Sequence, residues 1–116
     1  MIVEDYIRLN CKYLKDATKL LKKGDYVQAS EKYWGAFAEM VKAVAAKRGV
    51  ILAHHRSVGE YIDKLHNENP KLGLRDVYYA ANSLHINFYE DNLTPEQVKD
   101  SAQKIERCMK DLRRLI

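Results

Sequence analysis

The chain has 116 residues, a length that fits a single domain over residues 1–116 and makes two domains implausible. Apolar residues make up 47% of the chain and charged residues 31%, a balance that excludes a disordered protein. Two prolines and five glycines are too few for the turns of a β-sandwich or barrel, and they fit a few long helices. The net charge of +4 allows contact with nucleic acid but is also common on ordinary surfaces.

The first half of the chain predicts two long helices. Apolar residues recur at helical spacing between Val3 and Leu21, and two lysines followed by Gly24 are typical of a helix end. Asp25 and Gln28 form a capping-box pattern, which predicts the start of a second helix. That helix runs from about Tyr26 to Arg48, and its wide apolar stripe indicates neighbours on two sides.

The second half predicts three further helices. A short one carries apolar residues within 58–65 and is followed by a turn at 67–70. A fourth helix carries an apolar stripe within 74–88. Thr94, with proline next and Gln97 three residues on, is a strong signal for the start of the last helix. The whole pattern predicts an all-α fold, an antiparallel up-and-down bundle of four long helices plus one short helix.

Cellular location and cysteine chemistry follow from what the sequence lacks. No run approaches the roughly 18 apolar residues of a membrane span. The first residues are acidic where a signal peptide is basic, so we expect a cytoplasmic protein.

Two cysteines make neither a disulfide framework nor a zinc site. If the first and last helices run antiparallel, Cys11 and Cys108 lie at one level of the bundle, and we predict that they are close together.

The histidines offer candidate binding groups. His54 and His55 stand where a loop meets the third helix, and they either bind a ligand or fix the loop through a cap or hydrogen bond. None of the four histidines has a glutamate or cysteine at a zinc-ligand spacing, so we predict no metal site. No glycine-rich phosphate loop or nucleophile elbow is present, and we predict no cofactor.

The densest group of polar and aromatic residues lies near the end of the fourth helix. His85, Asn87, Tyr89 and Glu90 bring together an imidazole, an amide, a phenol and a carboxylate. Such groups bind a small polar ligand or perform acid–base catalysis, and they are the candidate catalytic residues. The alternative is a helix end whose polar groups tie down the following loop.

Basic and aromatic residues give three further expectations. Lys104 and Arg107 belong to a basic stripe on the last helix, which either guides a phosphate backbone or forms a solvated face interleaved with acids. Aromatic residues at helical spacing usually pack, so we expect Trp34 to be buried between the second helix and a neighbour. Two aromatic-rich helices carry more apolar surface than thin helices bury, and we therefore expect a homodimer.

The second helix resembles that of the HEPN superfamily over 25–36 and 41–49, where it ends in a glycine that is followed by a histidine and a short helix. Together with the block 84–91, the chain is more closely similar to the archaeal PaREP family. The resemblance covers about 6–115 and implies a helical bundle that forms homodimers. It also implies a toxin–antitoxin or defence context, often with a nucleotidyltransferase-type protein partner. Many HEPN domains are metal-independent endoribonucleases.

The nuclease signature of that superfamily, an arginine followed four to six residues later by a histidine, is incomplete here. The segment 84–90 has no arginine, and His85 has no histidine after it. Our leading hypothesis is therefore a non-catalytic module that binds a nucleotide, RNA or a partner protein. The alternative is a divergent ribonuclease that uses His85 with Asn87 and Tyr89. A third possibility is an antitoxin or scaffold that binds only protein.

Overall fold

The computed structural model describes residues 2–116, which form five α-helices. The helices are α1 (Val3–Lys22), α2 (Tyr26–Lys47), α3 (His55–Glu68), α4 (Leu74–Glu90) and α5 (Pro95–Arg113), with one 3-10 turn (Pro70–Leu72) before α4. Residues 2–116 contain no β-strand, so the prediction of an all-α fold is confirmed. In the same part of the chain, no helix combines the length and the apolar character that crossing a membrane requires.

Local signals set the helix ends. The Asp25 side chain accepts a hydrogen bond from the backbone N–H of Gln28 at 3.2 Å and caps α2. Thr94 and Gln97 form a reciprocal capping box at the start of α5, with bonds of 3.2 and 2.9 Å. After α1 the chain turns at Gly24, whose φ of 79° lies in the left-handed region that favours glycine. The predicted starts of α2 and α5 and the predicted end of α1 are therefore confirmed.

The fold is centred on α2. This helix packs against α1, α3, α4 and α5, and 12 of its 22 residues are buried. Burial on several sides explains why its apolar stripe is wide, whereas the more amphipathic α1 buries only Tyr6, Asn10 and Ala17. The first and last helices meet where the Asn10 amide lies 3.2 Å from the sulfur of Met109.

The two cysteines have different surroundings. Cys11 is exposed, and its sulfur lies 3.7 Å from the guanidinium of Arg113. Cys108 is buried and faces a shallow depression that Leu72 and Val77 also line. Burial raises the pKa of the Cys108 thiol to about 12, and the nearby carboxylate of Asp111 adds to the rise. Both residues are free thiols. The contact between Asn10 and Met109 places them at one level of the bundle, as predicted, with Cys11 at the surface and Cys108 inside.

A glycine lets α3 approach α4 closely. A Cβ atom on Gly59 would lie 2.8 Å from the hydroxyl oxygen of Tyr78, a separation that Cβ atoms in proteins do not adopt. His55 precedes Gly59 by about one helical turn, and Asn82 follows Tyr78 by about one turn. The close contact between the two helices therefore brings His55 against Asn82.

Candidate functional site

Two imidazoles lie together where α2, α3 and α4 meet. His55 is the first residue of α3 and His85 lies towards the end of α4, and their ring centroids are 5.0 Å apart. The buried ring of Trp34, on α2, contacts both: it stacks on His55 at 4.4 Å and lies 5.2 Å from His85. Together with Glu31 and Asn82, which bind the two rings, these residues form what we call the imidazole cluster.

Each imidazole is held through one of its nitrogens. Nδ1 of His85 lies 2.8 Å from a carboxylate oxygen of Glu31, and both side chains are 26% exposed. Nε2 of His55 lies 3.0 Å from the amide oxygen of Asn82. Because oxygen is the acceptor in both bonds, the held nitrogens donate, and the opposite nitrogen of each neutral ring keeps a free lone pair. The cluster therefore offers two imidazole nitrogens to a ligand.

Helical spacing explains how the cluster forms. Glu31 and Trp34 are three residues apart on α2, and Asn82 and His85 are three residues apart on α4, so each pair shares a face. Glu31 and Asn82 are not among the residues that the sequence pattern predicts for the site, and Trp34 is predicted from it only to pack. The sequence does mark Glu31 and His85 individually, because each is a polar residue next to the apolar stripe of its helix, α2 or α4. Nothing in the sequence indicates that the two stripes meet.

Of the candidate residues predicted near the end of α4, Tyr89 is the one that contacts His85 at the surface. The Tyr89 ring is 70% exposed and contacts the His85 ring edge-on, with centroids 5.4 Å apart. Glu90 is exposed at the last position of the helix. His85 and Tyr89, four residues apart on α4, therefore share one side of the helix, and Tyr89 borders the imidazole cluster.

Asn87 has a different role from the one considered for it. Its side chain is 1% exposed and donates a hydrogen bond to the hydroxyl of Ser30 at 3.0 Å. Its amide oxygen accepts a hydrogen bond from the backbone N–H of Leu93 at 2.8 Å. Both bonds point into the protein because Asn87 lies on the inner face of α4. The interpretation that a polar group ties down the following loop therefore describes Asn87, and a ligand at the surface does not reach it.

The other predicted binding residues lie apart from the imidazole cluster. His54 is exposed at the N-cap position of α3, where its side chain makes no capping hydrogen bond, so the cap interpretation does not hold for it. The interpretation of a hydrogen bond that fixes the loop does hold for His55. Lys104 and Arg107 line the separate depression on α5 beside Cys108. The structure therefore brings none of the last helix's basic candidates to the two imidazoles.

A groove of about 390 Å³ adjoins the imidazole cluster, and we call it the α2 groove. It shares Glu31 and Trp34 with the cluster and extends along α2 from Gln28 to Lys42. Its walls include Tyr13 of α1 and Phe88 of α4. Among residues 2–116, no group of three or more histidine, cysteine or acidic side chains is arranged to hold a metal ion. The side chains of this region therefore provide imidazole, carboxylate, ammonium, amide and aromatic groups.

Comparison with known proteins places the chain in a family. No curated protein matches it. A crystal structure of a protein from Sulfolobus solfataricus is similar in fold, with a TM-score of 0.82 over 92% of this chain and 95% of that chain. The two sequences are 22% identical, so the likeness extends to the fold alone. The model of the archaeal PaREP1/PaREP8 family matches residues 5–109, nearly the whole sequence, and the chain belongs to that family.

Proposed function

We propose that this protein is a homodimeric RNA-binding module whose imidazole cluster contacts the phosphate backbone. The observation that carries the proposal is the pair of imidazoles packed on Trp34, each held through one nitrogen and each keeping the other for a ligand. A protonated imidazole donates from that nitrogen to a phosphate oxygen, and a neutral one accepts a hydrogen bond from a ribose hydroxyl. Both interactions suit RNA.

The surroundings of the cluster favour an anionic, base-bearing ligand. Arg56 follows His55 in the first turn of α3; its side chain is 90% exposed, and its guanidinium lies 3.8 Å from the exposed carboxylate of Glu60. That first turn contains no acidic residue, so its positive dipole end is not neutralised there. Tyr89 offers an exposed ring beside His85 on which an unpaired base can stack. The net charge of +4 adds a general attraction for phosphate.

The homodimer is supported by an exposed apolar stripe on α4. Tyr79 and Ile86 are 61% and 43% exposed, and their spacing of seven residues places them along one side of the helix. Large apolar side chains in line on a helix surface are typical of an interface. Pairing through this stripe brings two imidazole clusters near a common surface. Ile86→Lys should convert the dimer to a monomer by light scattering at micromolar concentration, and a wild-type monomer would refute this part of the proposal.

Metal-independent RNA cleavage is the second candidate function, and the Glu31–His85 pair is the observation that favours it. A carboxylate oxygen 2.8 Å from Nδ1 fixes the orientation of the ring and leaves the opposite nitrogen as the proton acceptor that a general base needs. His85 would take the proton of the attacking ribose hydroxyl and His55 would protonate the leaving oxygen. The imidazole cluster contains no lysine or arginine to stabilise the charge that develops on the phosphate. We therefore favour binding over turnover.

The test compares three proteins on a fluorescently labelled single-stranded RNA in the presence of a chelator. The double variant His55→Ala with His85→Ala should bind the RNA at least about tenfold more weakly, since each imidazole contributes a charge-assisted hydrogen bond. His54→Ala is the matched control, because it removes an adjacent exposed imidazole that makes no capping bond, and it should bind like the wild type. Equal binding by all three proteins would refute the proposal. RNA cleavage that disappears only in the double variant would establish the second candidate function.

A further inference from the structure

A basic surface that shares no residue with the imidazole cluster extends along α1 and α5. We propose that it binds the sugar-phosphate backbone of double-stranded RNA, and the choice of RNA over DNA rests on the proposed function. Three adjoining shallow depressions form this surface, which we call the α1–α5 face. Its basic residues are Lys15, Lys19 and Lys22 of α1 and Lys99, Arg107, Lys110 and Arg114 of α5.

Contacts at both ends of the face show that the two helices run side by side in opposite directions. At one end, a depression of about 470 Å³ joins Lys22 of α1 to Lys99 of α5. At the other end, the sulfur of Cys11 lies 3.7 Å from the guanidinium of Arg113. The last turn of each helix is basic. Because these two turns lie at opposite ends, positive charge is present at both ends of the face.

Most cations of the α1–α5 face are free to meet a ligand. Those without a carboxylate partner within 4 Å in residues 2–116 are Lys15, Lys19, Lys22, Arg107 and Lys110. All of them are exposed. The two acids that line the face already have partners: Glu106 accepts a hydrogen bond from the Tyr33 hydroxyl at 3.0 Å, and Asp111 lies 3.8 Å from the guanidinium of Arg114. A surface with such an excess of unpaired cations attracts a polyanion.

Helix ends explain some of these positions but not all. Lys22 and Lys110 lie in the last turns of their helices, where a cation interacts favourably with the helix dipole. Lys15 lies about two turns before the end of α1, and Arg107 lies about two turns before the end of α5. The dipole acts only within the last turn, so it gives Lys15 and Arg107 no role. A phosphate backbone along the face gives them one.

The aromatic content of the face favours a duplex over a single strand. Proteins that hold single strands stack the bases on aromatic rings. The aromatic residue lining this face is Tyr26, which is half-buried and has the ammonium of Lys99 5.8 Å from its ring centroid. In an RNA duplex the bases stack on one another, and proteins contact phosphates and 2′-hydroxyls. Gln103 is exposed where two of the depressions meet, and its amide can donate to or accept from a 2′-hydroxyl.

The test measures binding of a blunt RNA duplex of about 16 base pairs at several salt concentrations. The double variant Lys15→Gln with Arg107→Gln should bind more weakly, and its slope of log affinity against log salt should be smaller by about 2, because each cation contacts one phosphate. Lys47→Gln with Lys64→Gln is the matched control, since it removes the same charge from exposed lysines of α2 and α3, and it should keep the wild-type slope. Thermal melts establish that each variant is folded.

The outcomes separate this inference from the proposed function. A wild type that does not bind the duplex, or a slope that changes equally in the variant and the control, would overturn the duplex site whatever the single-strand assay shows. A DNA duplex of the same sequence bound at least as tightly would overturn the choice of RNA. Duplex binding that depends on Lys15 and Arg107, in a protein whose single-strand binding does not respond to loss of His55 and His85, would support the α1–α5 face and refute the proposed contact at the imidazole cluster.

Discussion

Replacing Asn87 with alanine should destabilise the protein without altering its ligand site. The change removes the bond to Ser30 at 3.0 Å and the bond from the Leu93 N–H at 2.8 Å. Each hydrogen bond contributes about 0.5–1.5 kcal/mol net, and a buried group left without a partner costs about 1–3 kcal/mol. Ser30 still donates to the Tyr26 carbonyl at 2.6 Å, so the Leu93 N–H is the group left without its partner. The expected loss in unfolding free energy is about 2–4 kcal/mol.

Urea denaturation followed by far-UV circular dichroism measures this loss. Asn92→Ala is the matched control, because it removes an exposed asparagine from the loop that Asn87 holds, and it should change stability by less than about 0.5 kcal/mol. RNA affinity of Asn87→Ala, measured where the variant is folded, should equal that of the wild type. A loss below about 1 kcal/mol would contradict the role assigned to the two hydrogen bonds. Wild-type stability combined with lost RNA binding would show that Asn87 acts at the ligand site after all.

Three further substitutions or modifications test the packing around the site. Trp34→Ala should lower the unfolding free energy by about 3–5 kcal/mol, because the ring is buried, and an unchanged melting temperature would contradict that. In the folded protein a thiol reagent at mildly alkaline pH should modify the exposed Cys11 alone, since burial raises the pKa of Cys108 to about 12 and keeps it protonated until the protein unfolds. Equal modification rates for the two thiols would refute this. Gly59→Ala should gain less stability than the about 1 kcal/mol that this change usually adds within a helix, because the new Cβ would lie 2.8 Å from the Tyr78 hydroxyl. A full gain in calorimetric melting would mean that the Tyr78 ring moves aside at no cost.

The parts of the fold that the sequence predicts correctly are those that depend on neighbours along the chain. A capping side chain and the backbone amide that it binds are three residues apart, so the sequence predicts the caps at Asp25 and Thr94. The glycine after α1 adopts its positive φ at its own position, so Gly24 is predicted in the same way. The width of the apolar stripe on α2 likewise predicts neighbours on more than one side. Which helices those neighbours are depends on packing between distant segments, and periodicity carries no information about it.

The candidate site illustrates the same limit. Glu31 and His85 are 54 residues apart in the chain, and their contact depends on how α2 and α4 pack. Asn87 and Tyr89 belong to one short segment and look equivalent in the sequence, yet one is buried and the other is 70% exposed. The toxin–antitoxin or defence context and a nucleotidyltransferase-type partner rest on the HEPN resemblance and stay predictions.

The central claim is that RNA contacts the imidazoles of His55 and His85, and histidine side-chain NMR measures that contact directly. The four histidines give four sets of ring signals, which single His→Ala variants assign. On addition of a short single-stranded RNA, the ring signals of His55 and His85 should shift together and saturate. Those of His54 and His66 should stay in place. Ring signals of His55 and His85 that remain unmoved while the RNA binds elsewhere would contradict the account.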